Sequence, residues 1–314
     1  MRAIWVRFLV IALGFCSSVA LATIISSPPN TDAPKVVTSF SILADMVEQI
    51  AGDMVRVHPL VGPNADAHVF SPSPSDVREV AQADLVVVNG LGFEGWMQRL
   101  VQASDFKGPV VVATDGIAPL DMEDDHDHHK GHHDHHDHGQ HDPHAWQDLN
   151  NARVYVANIR DGLIAILPAQ RAQIEAGAQR YLDQIDELDE RLQAQFAAVP
   201  PGRRLLVSHD AFAYLAKAYD LDIAPLQGRS TDRDVSAADM AQLIREIRDG
   251  EIHAYFIENM ADPRMMQQVA RETGLADGGK LYSDALSAPG SEADTYLKLY
   301  ELNAQKLLNA LKDR

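Results

Sequence analysis

Short runs of consecutive aliphatic residues alternate along this chain with stretches of helical spacing. KVVTSF (35–40), VRVHPLV (55–61), ADLVVVNG (83–90) and PVVVATD (109–115) predict strands. Their apolar positions are continuous rather than alternating, which predicts parallel strands covered on both faces. Between them, SILADMVEQIAG (41–52) places Ile42, Leu43, Met46, Val47 and Ile50 on one helical face and stops at Gly52. SPSDVREVAQA (73–83) opens a second helix, with Ser73 as N-cap, Pro74 at the first helical position and Asp76 three residues after the cap. A further helix begins near Asn150. The second half repeats the plan. RRLLVSHD (203–210), LDIAPLQ (221–227), IHAYFIEN (252–259) and GKLYSDAL (279–286) read as strands, with helical segments near 211–219, 236–249, 263–273 and 292–312. Ser236 and Asp239 form another capping-box start. The fold class expected is α/β: two lobes, each a mostly parallel four-stranded sheet flanked by helices.

One long helix joins the lobes. From Ala169 to Val199 there is no proline and a single glycine, Gly177, while Ile174, Tyr181, Leu182, Ile185, Leu188, Leu192 and Phe196 recur at helical spacing. Pro168 opens the segment and Pro200 and Pro201 close it, giving a rigid rod of about 45 Å at about 1.5 Å per residue. This divides the chain into an N-terminal lobe at 35–168, a linking helix at 169–199 and a C-terminal lobe at 200–314. Such a spacer predicts little closure on ligand binding.

The N-terminus reads as a processing segment. Arg2 and Arg7 precede the apolar FLVIALGF (8–15), and ALA (20–22) sets small residues before a cut after Ala22. Residues 1–22 are expected to be a cleaved signal peptide and 23–34 a disordered leader, which places the mature chain in the periplasm. The apolar run is short for a membrane span. A lipoprotein signal at Cys16 is the alternative, disfavoured by bulky Phe15 before the cysteine. Cleavage after Ala22 removes the only cysteine, so any metal site must be built from His, Asp and Glu.

With 45 acidic against 27 basic residues and a formal net charge of −18, the surface repels phosphate backbones and attracts cations. Nucleic acid is excluded as a partner, and a monomer is expected. Ten of the fourteen histidines crowd into DDHDHHKGHHDHHDHGQHDPHAWQD (124–148). Residues 121–141 have no apolar periodicity and read as a surface loop. Its histidines, His126, His128, His129, His132, His133, His135, His136, His138 and His141, are candidate weak metal sites. They could capture metal, transfer it or sense its excess. HDHHDH (133–138) fits a hydrolase metal motif, but in a tract made mostly of His and Asp that match is expected by chance.

Ligands of open α/β sheets collect at the carboxyl ends of strands. Four metal-capable side chains fall there: His68 after the second strand, His144 in DPHAW, His209 at the end of RRLLVSH and Asp284 at the end of KLYSD. Each lobe supplies two, and together they could close one site in the inter-lobe cleft. His58 and His253 lie within or at the start of strands and read as structural. Glu258 reads as a salt-bridge or supporting residue and as a weaker ligand candidate. Asp66, Asp142 and Asp210 could orient imidazoles, and each is equally well a turn or cap residue.

LVGPNADAHVFSPSPSDV, HDPHAWQDLNNA, VSHDAFAYLAKAYDL, YFIENMADPRMMQQVARETG and LYSDALS resemble, in order, the signature stretches of the cluster A-I solute-binding proteins, the zinc/manganese receptors of bacterial ABC importers. The likeness spans roughly residues 35–312. It implies two lobes bridged by one long helix, and metal ligands at His68, His144, His209 and Asp284. Manganese receptors of the family tend to carry a carboxylate at the third position, where this chain has His209. Three imidazoles and one carboxylate suit four-coordinate Zn2+, whereas manganese prefers more oxygen. The function expected is therefore delivery of zinc, as transported ligand, to an ABC permease, with a periplasmic metallochaperone as a further partner. A manganese or other divalent-metal receptor is the alternative. A secreted zinc hydrolase, with Asp284 or Glu258 as base, and a metal-dependent adhesin are further readings. Ligation needs neutral imidazoles, so affinity should fall as pH drops through about 6.5.

Overall fold

The computed structural model describes residues 32–121, 141–200, 202–228, 231 and 237–312. The signal-peptide reading, most of the leader, and the Ser236 cap fall outside them. So do His126, His128, His129, His132, His133, His135, His136 and His138.

The N-terminal lobe runs β1 (Lys35–Phe40), α1 (Ser41–Ala51), β2 (Arg56–Val61), α2 (Pro74–Ala81), β3 (Leu85–Val88), α3 (Met97–Ser104) and β4 (Val110–Val112). Next come α4 (Leu149–Ile166) and α5 (Arg171–Phe196), the helix that joins the lobes. The C-terminal lobe runs β5 (Arg204–His209), α6 (Ala213–Tyr219), β6 (Asp222–Gln227), α7 (Ala237–Arg248), β7 (Ile252–Glu258), α8 (Arg264–Thr273), β8 (Ala276–Leu281) and α9 (Tyr296–Lys312). The sheets have orders β2-β1-β3-β4 and β6-β5-β7-β8, with every pairing parallel. The two lobes thus share one topology, and the carboxyl ends of both sheets are where a ligand is expected. The consecutive valines of β3 are buried throughout, because helices cover both faces of a parallel sheet.

The linking helix does not stand free. It begins after a 3₁₀ turn at Pro168–Gln170 and lays Ile174, Tyr181, Ile185, Leu188, Leu192 and Phe196 against α1, α4 and α9. Gly177 allows a close approach to α1: a Cβ there would sit 2.0 Å from the Ile50 carbonyl oxygen. The main core runs without interruption from the N-terminal sheet through these helices to β5 and β8. A second, smaller cluster packs α7 and α8 on the far side of the C-terminal sheet. α9 carries the chain back toward the first lobe, where the Asp45 carboxylate of α1 accepts the Tyr296 N–H at its start, 2.8 Å away.

Two elements depart from the sequence pattern. α3 arises from MQRLVQAS, which buries only Met97, Leu100 and Ser104, too few apolar positions to announce a helix. β8 occupies 276–281 rather than 279–286. The strand stops because Asn303 of α9 takes over the backbone of Tyr282. Its Oδ1 accepts the Tyr282 N–H at 2.9 Å and its Nδ2 donates to the Tyr282 carbonyl at 2.6 Å. Asp284 therefore sits on a loop beyond the strand.

Candidate metal centre

The His68 loop leaves β2 and is held by its own backbone partners. The Asp66 carboxylate accepts the His68 N–H at 2.8 Å, and the Trp96 indole donates to the Ala67 carbonyl at 2.8 Å. The His68 ring stands edge-on to Phe93, with centroids 4.8 Å apart. His144 is fixed by a different arrangement. Asn89, at the end of β3, donates to the Pro143 carbonyl at 2.8 Å and accepts from the Tyr155 hydroxyl at 2.5 Å. Trp146 is fully buried against Phe40 and Phe93, anchoring the segment that carries His144. From the other lobe, His209 is the last residue of β5. Asp284 is placed by its neighbour, since the Ser283 carbonyl accepts from Trp146 Nε1 at 2.9 Å and Gln147 Nε2 at 3.0 Å. These last bonds cross between lobes, as does the Tyr214 hydroxyl donating to the Asp142 carbonyl at 3.0 Å.

The four candidates meet at one point. His68 Nε2 lies 3.3 Å from His144 Nε2 and 3.1 Å from Asp284 Oδ2. His209 Nε2 lies 3.1 Å from Asp284 Oδ2, and His144 Nε2 lies 3.8 Å from Asp284 Oδ1. One ligand atom from each can be chosen so that all lie within 4.8 Å of one another. A tetrahedral ion with bonds of about 2.0–2.1 Å separates its ligand atoms by about 3.3 Å, so the cluster has the right size. The side chains of His144, His209 and Asp284 are fully buried and that of His68 is 5% exposed.

The chemistry of the donors also suits a cation. His144 Nδ1 is 2.8 Å from Asp142 Oδ1, and His209 Nδ1 is 2.6 Å from Glu258 Oε2. The Asp142 hydrogen bond holds a proton on His144 Nδ1 and leaves the His144 Nε2 lone pair aimed at the common point, and the negative charge of Glu258 beside His209 Nδ1 favours the same tautomer there. Asp284 Oδ1 is buried with no hydrogen-bond partner, a position costly for a carboxylate oxygen unless a positive charge faces it. Burial by itself lowers the pKa of His209, but the Glu258 and Asp284 carboxylates on either side outweigh it and raise it well above 6.5. Burial pushes Asp284 the other way, yet the imidazoles of His209 and His144 and the hydrogen bonds from His209 and His68 hold it well below 3.8. Proton and metal thus compete for the same electron-rich pocket.

The supporting residues divide the work unevenly. Asp142 orients an imidazole, while Asp66 reaches the backbone N–H of His68 rather than its ring. Glu258 does the most, because it also accepts the His209 N–H at 2.9 Å. A carboxylate bound to His209 in this way is not poised over a substrate as a hydrolytic base. His58 stands 4.0 Å from Glu79 and His253 is exposed on β7, both apart from the cluster. His141 forms an isolated antiparallel bridge with Asp121, its Nδ1 3.2 Å from the Asp121 carboxylate. It marks one foot of the histidine tract rather than a ligand of the cluster. Asn89, Trp146 and Gln147 are site residues that the sequence does not announce, because their roles run through backbone carbonyls far away in sequence.

Two α/β lobes with His and Asp side chains converging from their strand ends define a metal-binding receptor of the two-lobed class. Residues 36–310 match the sequence profile of the family described as zinc-uptake complex component A, periplasmic, and the chain belongs to that family, the metal-binding substrate-binding proteins of ABC transporters. It is 31% identical over 298 residues to the iron-binding protein YfeA of Yersinia pestis, covering 94% of this chain and 92% of that one. It is 29% identical over 313 residues to the manganese-binding lipoprotein MntA of Halalkalibacterium halodurans, covering 99% of each. Among solved structures, the periplasmic zinc binding protein TroA from Treponema pallidum superposes with a TM-score of 0.81 at 29% identity, covering 90% of this chain and all of that one. The family consists of transport receptors rather than enzymes. Among the described residues, no helix is long and apolar enough to cross a membrane.

Proposed function

We propose that this chain is a periplasmic zinc receptor, holding one Zn2+ on His68, His144, His209 and Asp284 and delivering it to the permease of an ABC importer. The observation that carries this reading is the cluster of three imidazole nitrogens and one carboxylate, held in the interior with its ligand atoms within 4.8 Å of one another. Zinc takes such a donor set readily, and a site filled by four protein groups leaves no open position for a reacting water. The chain is exported behind residues 1–22 and works as a monomer. His126, His128, His129, His132, His133, His135, His136, His138 and His141 supply weaker sites that gather zinc or receive it from a metallochaperone.

A manganese receptor is the second reading. It is favoured by relatives whose names specify manganese, such as the lipoprotein of Halalkalibacterium halodurans. Native mass spectrometry under zinc and manganese titration separates the two. The intact chain should hold one tight zinc that survives deletion of residues 121–141 and is lost in His209→Ala, while the extra weak zincs vanish with the deletion. Tight manganese retained against equimolar zinc would replace the first reading with the second.

A further inference from the structure

The cluster is sealed unequally. His144, His209 and Asp284 have no solvent-exposed side-chain surface, whereas His68 retains 5% and its neighbour Val69 is 55% exposed. The one ligand that touches solvent is thus carried by the loop after β2. That loop is tied across the cleft to the C-terminal lobe at three points. The Asn64 N–H donates to the Leu286 carbonyl at 2.9 Å. Asn259 Nδ2 donates to Asn64 Oδ1 at 3.0 Å and to the Ala285 carbonyl, next to Asp284, at 3.1 Å. The Thr231 hydroxyl donates to Asp66 Oδ2 at 2.6 Å, while the other oxygen of that carboxylate holds the His68 N–H. Asp66 is therefore a two-sided connector, binding a ligand's backbone with one oxygen and the opposite lobe with the other.

We infer that Thr231 and Asn259 are positioning residues that latch the His68 loop over the metal and so slow its release. This rests on the metal-site reading given above. Neither residue touches the ligand atoms. Both act on how long the loop stays down, which governs the release rate rather than the encounter rate. Breaking one such hydrogen bond weakens the closed state by about one kcal/mol, or roughly fivefold in its equilibrium with the open state.

The test is stopped-flow zinc release from the full chain loaded with one equivalent of Zn2+ and mixed with excess EDTA. Thr231→Val and Asn259→Ala should each release zinc about fivefold faster, while Thr231→Ser, which keeps the hydroxyl, stays within about twofold of the parent. Association rates should remain within about twofold in all three, since general loosening of the fold would slow capture as well. A release rate within about twofold of the parent for either Thr231→Val or Asn259→Ala overturns the latch, as does failure of Thr231→Ser to preserve slow release. Retention of the tight zinc in His209→Ala would instead overturn the metal site itself.

Discussion

Glu258→Gln is the most informative change beside the site, because it alters charge while nearly conserving shape. The carboxylate lies 2.6 Å from His209 Nδ1 and accepts the His209 N–H at 2.9 Å, with both side chains fully buried. Two opposing effects follow. A ligating imidazole that loses its carboxylate partner is less basic and less well oriented, which lowers metal affinity about 10- to 100-fold, or about 1.4–2.8 kcal/mol. The same carboxylate is the larger of the two charges that raise His209 well above 6.5. Metal must displace that proton, so parental affinity should fall about tenfold per pH unit below the His209 pKa wherever one proton is released. The neutral amide lowers that pKa toward the value set by burial and Asp284, and so flattens the slope. Competition with a chromophoric chelator at about pH 8 and about pH 6 measures both. The variant should be much weaker at the higher pH, with its deficit shrinking at the lower one. Equal affinity at the higher pH, or a slope as steep as the parent's, would refute the reasoning.

Other perturbations test the scaffold and its linkage to pH. Gly177→Ala should destabilise the chain by about 1–3 kcal/mol in urea unfolding, because the added Cβ meets the Ile50 carbonyl at 2.0 Å; helix propensity alone predicts the opposite sign. Asn303→Ala leaves the Tyr282 N–H and carbonyl without their partner; it should lower stability by about 2–4 kcal/mol and weaken zinc binding through the displaced Asp284 loop. In the metal-free chain, raised His209 stabilises below its unfolded value of 6.5 and loses that contribution as pH climbs through its folded pKa. Depressed Asp284 stabilises above 3.8 and loses its contribution on acidification. Differential scanning calorimetry of the metal-free chain should therefore show its highest melting temperature between about pH 4 and 6.5, falling toward alkaline pH. With zinc bound the alkaline fall should disappear, and a metal-free chain most stable above neutrality would contradict the arrangement.

The fold was legible because its signals are local and consecutive. The valine runs of β1, β3 and β4, the cap at Ser73 and the apolar spacing of the helix at 41–51 each declare themselves within a dozen residues. α3 did not, since three buried positions carry too little periodicity. The end of β8 did not either, because it is set by Asn303, a residue on the following helix. The strand-end rule made His68, His144, His209 and Asp284 candidates, and the family resemblance implied them as one ligand set. What could not be read was how the four are held. Asn89 reaching Pro143, Trp146 and Gln147 reaching Ser283, and Thr231 reaching Asp66 are all contacts between distant segments through backbone or connector groups. Residue type gives no hint of them. The histidine tract drew attention by composition, yet among its described residues only His144 at its ordered end joins the cluster, while His141 pairs with Asp121 at its foot.

X-ray absorption at the zinc edge, on the full chain loaded with one equivalent of Zn2+, tests the central claim most directly. The expected spectrum is that of a four-coordinate ion with three imidazole nitrogens and one carboxylate oxygen at about 2.0–2.1 Å, with loss of one imidazole contribution in His209→Ala. A first equivalent bound by histidines of residues 121–141, with a spectrum unchanged in that variant, would contradict it.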